Sequence, residues 1–118
     1  MNTSLSGQLA RTLLDSQPGP DERQRAREGL IDYFACLLPV QLGMVQDSGL
    51  APVRAVFPAA RSTEDHALQL GYMSHALDFD DYHATFRGHP TTVVLSTLLA
   101  LLESRPVSYT HLTLPTKA

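Results

Sequence analysis

The sequence predicts an all-α helical bundle, and three observations carry that prediction. Three stretches repeat apolar residues at helical spacing, a fourth is apolar almost all round, and only the short run Val53 to Phe57 reads as extended. The 118 residues are 43% hydrophobic and 18% charged, enough apolar material for a core and too little charge for disorder. That is one small domain or part of a larger one.

Leu5, Leu9 and Leu13 recur every fourth residue between polar neighbours, which predicts an amphipathic helix laid on a core. Gln17-Pro18-Gly19-Pro20 stops it. Asp21 and Gln24 have the spacing of a capping box for a second helix running to about Leu38, with Leu30, Ile31, Phe34, Leu37 and Leu38 as its apolar stripe. Pro39 is expected to kink or end that helix by removing a backbone donor. Cys36, flanked by apolar residues, belongs to the core. Gln46 to Gly49 reads as a turn and Val53 to Phe57 as a short extended piece before Pro58.

Ser62 or Thr63, with Glu64 and Asp65 against the positive end of the helix dipole, starts a third helix through roughly Leu77. Ala67, Leu70, Ser74 and Leu77 give it one tight face, and Gly71 within it implies close approach by another backbone. Thr91 to Glu103 is apolar on nearly every side, with only Ser96 and Thr97 polar among its central residues. Such a helix needs protein all around it, so the bundle is expected to be completed by further chain or a second subunit.

Residues 106–118, Pro106 to Ala118, have no helical period. They look like translated sequencing-adapter read-through joined to a truncated frame, the alternative being a disordered natural terminus, and either reading leaves residues 1–105 as the helical domain and sets the tail aside from fold and function.

The net charge of −3, the pI near 5.9 and the lack of a basic run beyond the scattered Arg23, Arg25 and Arg27 exclude a nucleic-acid or acidic-membrane partner. One cysteine cannot form an internal disulfide and fits a reducing compartment. Met1 to Ala10 has no positive leader, and the apolar stretch from Val93 to Leu102 is too short to span a bilayer. A cytoplasmic protein is expected.

Chemistry is concentrated between His75 and His89, where three carboxylates, Asp78, Asp80 and Asp81, and three imidazoles, His75, His83 and His89, lie within fifteen residues. The segment admits three readings: a metal site, an acid/base site, or an acidic loop that caps helix ends. His75 and Asp78 share a helix face and His83 or His89 closes the set, yet the spacing fits neither His-Glu-x-x-His nor a calcium loop, so no metal is expected.

The acid/base reading rests on Pro90, which suits the first turn of a helix and places His89 at or beside its N-cap. The dipole there favours neutral imidazole and attracts carboxylates, including those of a substrate. Asp78 is expected to face that terminus, with Asp80 and Asp81 capping amides or pairing with Arg87. His75 is expected in the core and His66 on the surface. Tyr82 and Phe86 line a pocket or pack the loop.

Ser74-His75-Ala76-Leu77-Asp78-Phe79-Asp80-Asp81-Tyr82-His83, followed by Gly88-His89-Pro90 and the Leu-rich helix, resembles the MmgE/PrpD family. Ala26 to Cys36 resembles the family's second helix, so the likeness covers about residues 5 to 105. It implies the N-terminal part of an all-α domain in a two-domain enzyme that acts, without metal or other cofactor, on small di- and tricarboxylates. The family includes 2-methylcitrate dehydratase and cis-aconitate decarboxylase, and a homodimer is implied. Carried over by motif, Asp78 and His89 are the catalytic positions, with Tyr82 and His83 lining the carboxylate pocket. Tyr82 stands where members often have Thr. A later His and Lys used by the family fall outside these residues, so the 118-residue chain alone is expected to be inactive.

Overall fold

A computed structural model describes residues 4–46, 49–56 and 62–105. Five helices follow in order: α1 (Leu5–Asp15), α2 (Pro20–Gln41), α3 (Leu50–Val56), α4 (Thr63–His75) and α5 (Pro90–Ser104). No strand occurs among the described residues, so the all-α expectation holds. Phe57 and residues 106–118 lie outside the described residues.

α1 starts where Ser4 Oγ accepts the Gly7 amide at 3.2 Å, and it ends before the Pro-Gly-Pro segment as predicted. Its packing differs from expectation. Leu5, Leu9, Leu13 and Leu14 are all exposed, and α1 rests against none of the other described helices. A period of four says which side of a helix is apolar; it does not supply the surface that covers it.

In α2, Pro20 occupies the first helical position behind Gly19, and no side chain caps the end. The Asp21–Gln24 capping box therefore does not form. Proline already fixes φ for the first turn, Asp21 and Glu22 lie at the positive end of the dipole, and Gln24 donates instead to Glu28 at 3.1 Å. Pro39 sits inside the helix, which continues to Gln41 rather than stopping near Leu38. Gly43, at φ +70°, then turns the chain out of the helix in the left-handed region that glycine adopts without strain.

The buried face of α2 is Tyr33, Cys36, Leu37 and Val40. Of the predicted stripe only Leu37 is buried, and Ile31 is 71% exposed. The segment expected to be extended is the short helix α3 instead: Val53 and Val56 are three apart, a spacing that serves one helical face as well as part of a strand.

α4 opens as predicted, with Ser62 Oγ accepting the Asp65 amide at 3.1 Å. It buries Leu70, Met73 and Ser74 against α2 and α5. The core is Tyr33, Leu37 and Val40 of α2, Leu70 and Met73 of α4, and Ala100 of α5. α5 turns an unexpected side inward, for its buried residues are Thr92, Ser96 and Ala100 while the valine and leucine side is exposed.

Hydroxyl groups tie this seam together. Tyr33 Oη and Ser96 Oγ are bonded at 2.9 Å, and the Ser74 and Thr92 hydroxyls pair so that one donates to the other, which donates in turn to the Gly71 carbonyl, 3.2 Å from both. The approach at Gly71 is by the Ser96 side chain, 3.8 Å from where a β-carbon would stand, rather than by backbone. No helix among the described residues is long and apolar enough to cross a membrane.

Candidate functional site

The seam brings the C-terminal end of α4 beside the N-terminal end of α5, and residues 76–89 join them. Asp78 ends the helical path by adopting φ +56°, with its amide donating to the His75 carbonyl at 2.9 Å. Aspartate tolerates this left-handed conformation better than most residues. A second turn is closed by the His83 amide on the Gly88 carbonyl at 2.9 Å and the Arg87 amide on the His83 carbonyl at 2.7 Å.

Asp81 fastens the loop to both neighbouring helices. Its carboxylate accepts the Thr91 amide at 3.3 Å and the Thr91 hydroxyl, while its own amide donates to Asp32 of α2 at 3.1 Å. Asp81 thus caps α5, as expected for an acidic loop. The carboxylate drawn to this helix end is therefore one of the chain's own.

Between the helix ends lies an alternating array of imidazoles and carboxylates. His75 Nδ1 is 2.9 Å from Asp80 Oδ1, His89 Nδ1 is 3.3 Å from Asp80 Oδ2, and His89 Nε2 is 3.5 Å from Asp78 Oδ1. The His75 and His89 rings are 4.4 Å apart between centroids, and Tyr82 meets His89 edge-on at 5.6 Å. Burial separates the two carboxylates: the Asp80 side chain is 2% exposed and that of Asp78 76%. Of these two carboxylates Asp78 is the one open to a molecule arriving from solvent, and the His89 side chain, 24% exposed, bridges them.

Asp78 and His89, the two predicted catalytic positions, are thus brought together, with Tyr82 against the His89 ring. His83 is occupied within its own turn, its Nδ1 accepting the Phe86 amide at 3.1 Å. Two readings change. Asp80 faces imidazoles instead of capping an amide, because the loop turns its side chain inward between the helix ends. His75 is half exposed and bonded to Asp80 rather than a core residue. The sequence signal for this pair was faint, since His75 and Asp80 are five apart across the end of a helix and share no helical face. His66 also departs from a simple surface role, with its Nδ1 3.1 Å from Glu103 of α5.

His75, Asp78, Asp80 and His89 each offer a ligand atom within 4.8 Å of the others, a donor set that suits zinc or manganese in kind. A cation there would have to break the 2.9 Å His75–Asp80 hydrogen bond. Below this array, burial pushes the Cys36 thiol above its ordinary range, and the charges of Asp32, Asp80 and Asp81 push the same way. That environment keeps the thiol protonated and unreactive.

Two shallow grooves flank α5. One, of about 320 Å³ between α2 and α5, is lined by Ala26, Gly29, Leu30, Val94 and Leu95. The other, of about 530 Å³ between α4 and α5, includes His75, Gly71, Thr92 and Ser96. The second groove opens beside the imidazole array.

A family model described as the MmgE/PrpD N-terminal domain matches residues 7–114, passing beyond residue 105. No curated protein and no solved structure matches the chain.

Proposed function

The chain belongs to the MmgE/PrpD family, and from that premise we propose that it is the N-terminal part of a metal-free lyase acting on small di- or tricarboxylates, of the 2-methylcitrate dehydratase or cis-aconitate decarboxylase kind. The observation that carries this reading is the convergence of an exposed carboxylate, Asp78, on the Nε2 of a half-buried imidazole, His89. Dehydration takes a proton from a carbon beside a carboxylate and delivers one to the departing hydroxyl. Decarboxylation returns a proton to the carbon that loses carbon dioxide. Dehydration needs a base at the carbon that loses its proton and an acid at the departing hydroxyl, decarboxylation needs a proton donor at the carbon that loses carbon dioxide, and a carboxylate beside an imidazole supplies groups of both kinds.

Asp78 and His89 transfer or direct that proton, and Tyr82 and His83 border the carboxylate pocket. With Asp32, Asp78, Asp80 and Asp81 all near the loop, the local charge repels a polycarboxylate, so cationic groups from elsewhere in the protein complete its binding. The working protein is a cytoplasmic homodimer of complete two-domain chains, and the 118-residue chain alone is inactive.

The test is turnover of 2-methylcitrate and cis-aconitate by the complete protein with Asp78→Ala and His89→Ala. Each substitution is expected to lower turnover by about 10²–10⁴-fold, the usual worth of a positioned acid or base. Turnover that survives both changes overturns the assignment. The exposed valine and leucine side of α5 favours a second reading, a helical interaction module whose acidic loop only caps helices. That reading stands if the complete protein turns over neither substrate and neither substitution changes its binding to them.

A further inference from the structure

We propose that Asp80 is the positioning residue of this site: one buried carboxylate accepts hydrogen bonds from the Nδ1–H groups of both His75 and His89 and so leaves Nε2 of His89 as the nitrogen that exchanges protons with Asp78 or substrate. The inference rests on the reading of His89 as the proton-transfer group and adds how that ring is held.

Three observations support it. Asp80 Oδ2 and His89 Nδ1 are both buried without a hydrogen-bond partner, and they face each other at 3.3 Å. Two unpaired polar atoms in an interior are costly, and a small rotation of the ring pairs them with each other. Asp80 Oδ1 already holds His75 Nδ1 at 2.9 Å. An ionised carboxylate only accepts, so both nitrogens that face it must carry protons. The tautomer of an imidazole follows from the partner of its other nitrogen, and here that partner is fixed by burial.

The His89 ring is hemmed in, with the tilted His75 ring 4.4 Å away between centroids and Tyr82 meeting it edge-on at 5.6 Å. Nε2 consequently points to Asp78, the carboxylate that solvent reaches. His83 is the internal contrast. Its Nδ1 accepts a backbone amide from Phe86 and must be bare, which puts its proton on Nε2.

Solid-state ¹⁵N spectra of the sedimented 118-residue protein, labelled at histidine and held at alkaline pH, test this directly, with single His→Gln substitutions to assign the signals. The expected pattern is a protonated Nδ1 and bare Nε2 for His75 and His89, and the reverse for His83. In Asp80→Asn the amide offers one acceptor and one donor, so one of the two rings is expected to lose its Nδ1 proton and gain one on Nε2. A wild-type His89 protonated at Nε2 overturns the proposal, as does a pattern unchanged in Asp80→Asn. Stoichiometric uptake of added zinc with loss of both Nδ1 protons overturns it in favour of a cation site. Loss of turnover by the complete protein bears on the lyase reading alone; the tautomers bear on Asp80 alone.

Discussion

Along α5, Thr92, Ser96 and Ala100 are buried against α2 and α4, while Val93, Val94 and Leu102 on the other side are each more than half exposed. The inner side contributes small volumes and hydroxyl bonds; the outer side carries most of the helix's apolar bulk. A hydrogen bond between hydroxyls contributes about 1 kcal/mol net, so the inner seam adds modest stability. What it adds is register, because Ser96 must meet Tyr33 and Thr92 must meet Ser74. Register at the seam sets His89 opposite Asp78 and Asp80. The outer side is exposed among the described residues, and apolar area of this kind is worth about 25 cal/mol per Å² only where it is buried.

Substitutions can break this contrast or sharpen it. The largest effect is expected from Ser96→Leu, which forces a bulky side chain against Gly71 and removes the Tyr33 partner; about 1–3 kcal/mol should be lost. A thermal melt reads this as a fall of about 4–8 °C per kcal/mol. A melting temperature within error of wild type would mean that the seam is loose and that the site's geometry is set elsewhere.

Tyr33→Phe is a gentler cut, for it leaves the volume and deletes one bond. It should cost about 1 kcal/mol in urea denaturation, with the Ser96 hydroxyl left buried and unpaired. A smaller effect concerns pH. Since the folded state holds the Cys36 thiol above its ordinary range, the unfolded chain releases that proton first. The associated stability is whole below the ordinary thiol pKa of about 8.5 and is lost as pH rises above it toward the folded value. The urea midpoint should fall between about pH 7 and about pH 10, and Cys36→Ala should remove that part of the fall.

The smallest change in stability is expected on the outer side. Leu98→Lys should alter the melt by no more than about 0.5 kcal/mol, since Leu98 is about half exposed and outside the buried core among the described residues. It should nevertheless reduce self-association in sedimentation velocity, because a contiguous exposed apolar face promotes it. A marked loss of stability would show that this side is packed after all and would erase the contrast with the inner one.

The nearness of Asp78 to His89 was legible in the sequence. Pro90 following His89 placed an imidazole at a helix start, and Asp78 at the end of the preceding helix was the natural carboxylate to face it. Residues at helix termini are governed by caps and dipoles that act within one turn, which is why these positions could be read. The role of Asp80 could not. Asp80 and Asp81 are adjacent and chemically alike, yet one caps α5 and the other lies between two imidazoles. Which does which depends on how the loop turns at Asp78 and on where Asp32 of α2 stands, and that residue is far away in the sequence.

The same division runs through the fold. Helix starts at Ser62 and Pro90, the stop before Pro18, and the gathering of histidines and aspartates between His75 and His89 were determined by the sequence itself, through interactions among residues a few positions apart. Tertiary structure decided that α1 leaves its leucines uncovered, that Tyr33 and not Ile31 faces inward on α2, that α5 buries hydroxyls and exposes leucines, and that Asp80 is the enclosed carboxylate. Each of these depends on which surface a helix meets, and an apolar stripe states only that a surface is needed.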